Sequence, residues 1–138
     1  MKKNRLVIEY DYAFHLLGIS SSVKFYKLAW AINQKLAINL IKRADYRLDL
    51  LQEPLSFEVY THGEPDTQFW LYRNRSVSQD SQFLIPEYPH FDYLIKLPSD
   101  SQSFALKEMV KVLREVDLIE YIGALDVKTL KSRDNFLE

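Results

Sequence analysis

One stretch of this sequence sets two carboxylates around an imidazole: Leu84-Ile85-Pro86-Glu87-Tyr88-Pro89-His90-Phe91-Asp92-Tyr93. Acids beside a histidine are the material of general acid–base chemistry, so Glu87, His90 and Asp92 are candidates for holding a ligand or moving a proton. The same residues have a mechanical reading. Pro86 and Pro89 fix a rigid turn between two strands. Glu87 and Asp92 then accept hydrogen bonds from loop amides that would otherwise lack partners. Tyr93 packs with Phe91, Ile95 or Leu97. No nucleophile or cofactor motif accompanies the acids, so the mechanical reading is favoured and no catalytic residue is assigned.

A second candidate is aromatic. In Phe69-Trp70-Leu71-Tyr72 and Val59-Tyr60 the side chains alternate as on a strand. If Phe57, Val59, Phe69 and Leu71 face the helices, then Tyr60, Trp70 and Tyr72 point to the opposite, open sheet face. An exposed aromatic set of that kind marks a protein interface or a base-stacking platform. Arg73 and Arg75 end the same strand. The bland alternative is cross-strand packing, or cover by another segment.

Other chemistries lack their residues. The three glycines, Gly18, Gly63 and Gly123, are far apart, so no glycine-rich phosphate loop is present. There is no cysteine, which removes disulfides and thiolate ligands and fits a reducing cytoplasm. His15, His62 and His90 lie on different elements with no metal-site spacing, so neither a metal nor a cofactor is expected. His15 reads as a structural histidine of an apolar strand and His62 as a solvated turn residue. Lys24, Lys27 and Lys35 read as a solvated helix face.

The elements that must position these residues follow from periodicity. Leu6–Tyr10 and Phe14–Ile19 are apolar, strand-like runs. Ser20, Ser21 and Ser22 offer caps for an amphipathic helix over Ser22–Ala37, where Phe25, Leu28, Ala29, Ile32 and Leu36 recur at helical spacing. Tyr46–Leu50 alternates as a strand. Leu55–Thr61 and Thr67–Asn74 flank turn chemistry at His62–Asp66 and read as a hairpin. Phe83–Ile85 and Phe91–Leu97 are short strands. Pro98–Ser101 signals a second helix, with Leu106, Met109, Val110 and Leu113 on one face. Leu118–Leu125 is a final strand. The polar tail 128–138 is expected to be loosely ordered.

The 138 residues fit a single domain, with 47% apolar and 14% aromatic residues. The expected architecture is α+β: a two-layer sandwich in which five to six mainly antiparallel strands carry two helices on one face. Its order is a decorated ferredoxin-like one. The net charge of −1 argues against a strongly basic nucleic-acid binder. Residues 1–50 carry nine Lys/Arg against Glu9, Asp11, Asp45 and Asp49, a weak sign of a dipolar surface. The apolar run Leu6–Ile8 is too short for the core of a signal peptide, and no stretch approaches a membrane span.

Ile85-Pro86-Glu87, then Phe91-Asp92-Tyr93 three residues on, resembles the signature of the IPExxxVDY family, small uncharacterised bacterial proteins found chiefly in Bacteroidetes. Phe91 stands where the motif has Val. The strand Phe14–Ile19, the helix segment Tyr26-Lys27-Leu28-Ala29, the Ile38-Asn39-Leu40 junction and Leu130-Lys131-Ser132 are also similar to the family pattern. The resemblance implies a cytoplasmic housekeeping setting and supplies no catalytic residues. The sequence therefore leads first to a non-enzymatic cytoplasmic domain that binds a protein partner, or itself as a homodimer, through the open sheet face. A small ligand-binding protein or enzyme using Glu87, His90 and Asp92 is one alternative. Single-stranded RNA binding on the aromatic face is another.

Overall fold

A computed structural model describes residues 14–50, 53–63, 68–77, 81–98 and 103–137. The run Leu6–Tyr10 and most of the Pro98–Ser101 helix-start signal lie outside the described residues.

The first element is β1 (Phe14–Ser20), then α1 (Phe25–Leu36). The helix begins later than its serines suggest. Ser21 Oγ donates to Leu118 O at 2.6 Å and accepts from Val23 N at 3.4 Å, so it is engaged ahead of the first helical turn. Extended Lys24 is the N-cap residue and supplies no side-chain cap. Ala37 closes the helix in the left-handed region, φ 57°. Next come β2 (Ile41–Lys42), β3 (Tyr46–Leu50), β4 (Glu53–Phe57), β5 (Val59–His62), β6 (Phe69–Arg73) and β7 (Tyr93–Pro98). Then α2 (Ser103–Leu113) and β8 (Tyr121–Leu125) are followed by 3-10 turns at Val127–Thr129 and Arg133–Phe136.

The fold is α+β. A six-stranded sheet has the order β2-β5-β6-β7-β1-β8, every neighbouring pair antiparallel, and β3 and β4 form a separate antiparallel pair. Within the large sheet, β8-β1-β7-β6, with α1 after β1 and α2 between β7 and β8, repeats the split βαβ arrangement. The expected strand Leu55–Thr61 is two strands in two sheets. The break falls at Glu58, whose carbonyl accepts from Arg73 N at 3.0 Å while β4 turns away to pair with β3.

Two apolar cores result. Leu28, Ile32, Val110 and Leu113 of the helices cluster with Leu17, Leu71, Ile95 and Ile122 of the sheet. Register accounts for this set: Leu17 pairs with Ile95, and Ile95 with Leu71, so their side chains share one face. Leu16, Tyr72 and Leu94 belong to a second cluster with Leu55 and Phe57 of β4 and with Leu130 and Phe136 of the C-terminal segment. That segment is well packed where the sequence suggested a loose tail. Phe136 is fully buried, its ring 5.4 Å from that of Tyr72. Lys96 Nζ donates to Phe136 O at 2.6 Å.

Candidate functional site

The Ile85–Tyr93 turn gathers four parts of the chain, and it does so through its side chains and main chain together. Only Phe83 of the expected strand Phe83–Ile85 makes a strand contact, a bridge to Arg75. The next residues are captured by Asn74. Its side-chain oxygen accepts from Ile85 N at 2.9 Å, and its Nδ2 donates to Phe91 O at 2.9 Å and Tyr88 O at 3.1 Å. Asn74 is fully buried. Five of its hydrogen-bonding sites are met at once, because its backbone also donates to Asp92 O and accepts from Leu84 N.

Glu87 and Asp92 point to different neighbours. Glu87 Oε2 accepts from Lys131 N at 2.6 Å and Ser132 N at 3.0 Å, pinning the C-terminal segment. Burial pushes this carboxyl up, but hydrogen bonds from its own backbone amide, then from Ser132 and Lys131, outweigh it and hold it below the ordinary glutamate value. Asp92 Oδ2 accepts from Ser21 N at 2.8 Å, at the junction of β1 and α1. His90 is exposed, its ring 4.5 Å from that of Phe91. The three candidates therefore do not converge on one point. Phe91 packs flat over Gly18, where an added Cβ would lie 2.7 Å from its ring. Tyr93 OH donates to Val23 O.

The aromatic set is likewise divided. Val59 lies opposite Tyr72, and Tyr60 opposite Leu71, one residue out of step with the expected faces. Tyr60 is thus on the helix side, its ring edge against Phe25 at 4.9 Å. Trp70 and Tyr72 do face the other way, but that face is covered. Tyr72 is 0% exposed, and Trp70 is half-buried, stacked on Tyr72 at 5.6 Å. Tyr46 of β3 closes over both rings. The expected open platform of Tyr60, Trp70 and Tyr72 does not exist as a surface.

Two of the six candidates, Tyr60 and Asp92, meet elsewhere, in a cleft of about 520 Å³ at the start of α1. The β1–α1 junction contributes Ser21, Ser22 and Lys24, and α1 contributes Phe25 and Tyr26. Glu58 and Tyr60 come from the β4–β5 bend, Arg73 and Arg75 from the end of β6, and Asp92 and Tyr93 from the motif turn. Phe25 stacks on Tyr93 with centroids 5.0 Å apart, and with Tyr60 these rings form an aromatic floor. Arg73 Nη1 lies 3.4 Å from Glu58 Oε1. Arg75 sits over the Phe83 ring at 5.1 Å. Burial, then the charge of Glu58, raises the Tyr60 phenol. Burial also raises Tyr93, where Asp92 and Glu58 add to it against Arg73. Both phenols therefore stay protonated at neutral pH, the Tyr93 hydroxyl with its proton committed to Val23 O.

Sequence reasoning placed Arg73 and Arg75 at a strand end but missed their meeting with Ser22, Lys24 and Tyr60. Alternation offered one signal. Residues 71, 73 and 75 share a side of β6, so the arginines follow Leu71 toward the helix layer. His62, read as a solvated turn residue, is half-buried, and its Nδ1 is 3.0 Å from Asn39 N. Among the described residues no helix is long and apolar enough to cross a membrane. No protein-family model matches the chain, and no curated protein matches it as a relative.

Proposed function

We propose that this protein is a small-ligand-binding domain whose site is the cleft at the start of α1. The observation that carries this reading is convergence. Five separate segments bring aromatic rings, phenols and both signs of charge around one concavity of about 520 Å³. That volume falls within the range of small-molecule pockets. Its described lining holds no histidine, so a proton-transfer role for His90 gains no support from the cleft. Binding through an open sheet face loses its surface, since Tyr72 is buried and Trp70 stacks on it. The RNA reading rested on the same face and loses it too.

Membership of the IPExxxVDY family and a cytoplasmic setting belong to this proposal. Five of the six named positions of the motif have a mechanical task here. Ile85 is buried, Glu87 holds the C-terminal segment, Phe91 covers Gly18, and Asp92 and Tyr93 fix the entry to α1. Leu130-Lys131-Ser132, the other end of the resemblance, is the stretch that Glu87 grips. The cysteine-free sequence fits a reducing compartment.

The test is a small-metabolite library followed by amide NMR shifts on the full chain. Binders are expected to move the amides of residues 21–26, 58–60, 73–75 and 91–93. Binders that move only amides outside these segments refute the reading.

A further inference from the structure

We propose that a second cleft, on the opposite face of the sheet, binds a small monocarboxylic acid, with its carboxylate on the Arg43 guanidinium and its apolar body against Trp70 and Val59. This site is independent of the cleft at the start of α1, with which it shares no lining residue. The register of β5 and β6 forms its floor. Val59 lies opposite Tyr72 and Thr61 opposite Trp70, so these four side chains share the face turned away from the helices. Tyr46 of β3 closes over part of that face. Beside it a cavity of about 420 Å³ remains, walled by residues 43–47 and floored by Val59, Thr61 and Trp70.

Arg43 supplies the anchor. Its Nε donates to Thr61 Oγ1 at 2.9 Å, and Thr61 is only 2% exposed, so the guanidinium is held from the sheet side. Among the described residues nothing accepts from its Nη1 or Nη2. Those two nitrogens form the end of a planar fork, spaced to meet both oxygens of one carboxylate. The charges around it are matched. Asp45 lies 3.7 Å from Lys42 Nζ, and Arg47 Nε lies 3.1 Å from Asp49 Oδ1. Residues 42–49 therefore hold three cations against two acids, and the unmatched charge is that of Arg43. One surplus charge suits a carboxylate. A doubly charged phosphate would meet added repulsion from Asp45, which lines the same cavity.

Trp70 supplies the apolar half. Tyr72 stacks on it and Tyr46 meets it edge-on, so the indole is fixed in place, yet it is only half-buried and borders the cavity. Its remaining ring surface lies on the same floor as Val59 and the Arg43 anchor point at Thr61. A bare inorganic ion would leave that surface in water, whereas an acid with an apolar body covers it while its head group meets the fork.

The experiment titrates 3-phenylpropionate and hexanoate into the labelled full chain, followed by NMR, with 3-phenylpropanol, 3-phenylpropylamine and phenyl phosphate as comparison probes. At least one of the two acids should shift the amides of residues 43–47, 61 and 68–70 and the indole N–H of Trp70, with affinity falling as salt is raised. Trp30→Phe removes the other tryptophan, which is exposed, and assigns the indole signal. Arg43→Gln should weaken the binding roughly fivefold or more, the loss expected for one charge-assisted contact. Arg43 is exposed, so this variant is expected to fold, and the comparison probes test the charge preference on the unaltered chain in any case. The alcohol or the amine binding as tightly as the acids overturns the proposal, as does phenyl phosphate binding more tightly than both. Unchanged affinity in Arg43→Gln, or no shift in these segments with either acid at millimolar concentration, overturns it as well. None of these outcomes bears on the cleft at the start of α1, whose reporting amides at 21–26, 73–75 and 91–93 lie in other segments.

Discussion

Replacing Asn74 should cost more than replacing many larger residues in this protein. Its side chain satisfies three main-chain groups of the motif turn: Ile85 N–H and the carbonyls of Phe91 and Tyr88. The first two bonds are buried and the third is partly buried. In Asn74→Ala all three partners stay in place, and water can reach the Tyr88 end most easily, since Tyr88 is exposed. Two buried main-chain groups left unmet, at about 1–3 kcal/mol each, set a loss of roughly 3–4 kcal/mol. That is a large share of the stability, on the order of 5–15 kcal/mol, of a domain this size. Asn74→Asp separates hydrogen bonding from space filling. It keeps the volume and the acceptor for Ile85 N–H, but turns an anionic oxygen toward the two carbonyls that Nδ2 served. Urea denaturation at neutral pH should find Asn74→Asp at least as destabilised as Asn74→Ala. An Asn74→Asp midpoint close to wild type would refute the account, because shape alone would then explain the residue.

Three further outcomes follow from the same geometry. Glu87→Gln should destabilise the chain at neutral pH and loosen the C-terminal segment, read as faster amide exchange around Lys131–Phe136. The Glu87 carboxyl is held below its ordinary value in the fold, so its contribution is present above the unfolded-state value near 4.5. It disappears as pH falls through the lowered folded value, so the gap between wild type and Glu87→Gln should narrow on acidification. Constant separation of the two unfolding curves across that range would contradict the pinning role. Gly18→Ala would place a Cβ 2.7 Å from the Phe91 ring, itself only 5% exposed, and should cost about 1–3 kcal/mol by overpacking. Gly123→Ala meets the hydroxyl of the exposed Tyr121 instead, a side chain with room to move, and should cost less in the same denaturation assay. A Trp70→Glu, Tyr72→Glu double variant should fail to fold, as seen by circular dichroism, because it buries charge in the second core. A folded double variant with an altered mass in light scattering would restore the idea of an association surface there.

The helices and the alternating strands were legible because their apolar residues repeat locally. Phe25, Leu28, Ala29 and Ile32 declare α1, and all four are buried. The face of Tyr60 was not legible. It depends on how β5 slides against β6, which the intervening turn decides, and a slip of one residue exchanges the faces. The cover of the second face was equally hidden. It comes from β3–β4 and from Leu130 and Phe136, two apolar residues in a polar tail with no period to announce them. At the motif turn the mechanical reading of Glu87 and Asp92 could be argued from the prolines and orphan amides. Their actual partners, Ser132, Lys131 and Ser21, are long-range and left no trace in local spacing. Asn74 carried no signal beyond an amide at a strand end. The cleft was invisible for the same reason, since its walls come from segments that only the sheet order brings together.

The place of β1 in that sheet has a consequence for how the chain is made. β1 sits between β7 and β8, with Phe14 opposite Pro98 and Leu16 opposite Leu125. β1 therefore has no ladder partner until β7, which lies more than 70 residues later in the chain, has emerged from the ribosome. Closing such long loops comes before any contact that repays it, which slows the search for the native topology. Until then Leu16, Leu17 and Ile19, all at most 1% exposed in the finished fold, face water on an unpaired strand. The nascent protein is thus most open to aggregation or chaperone capture between the emergence of β1 and that of β7 and β8, and β8 completes the protection of β1.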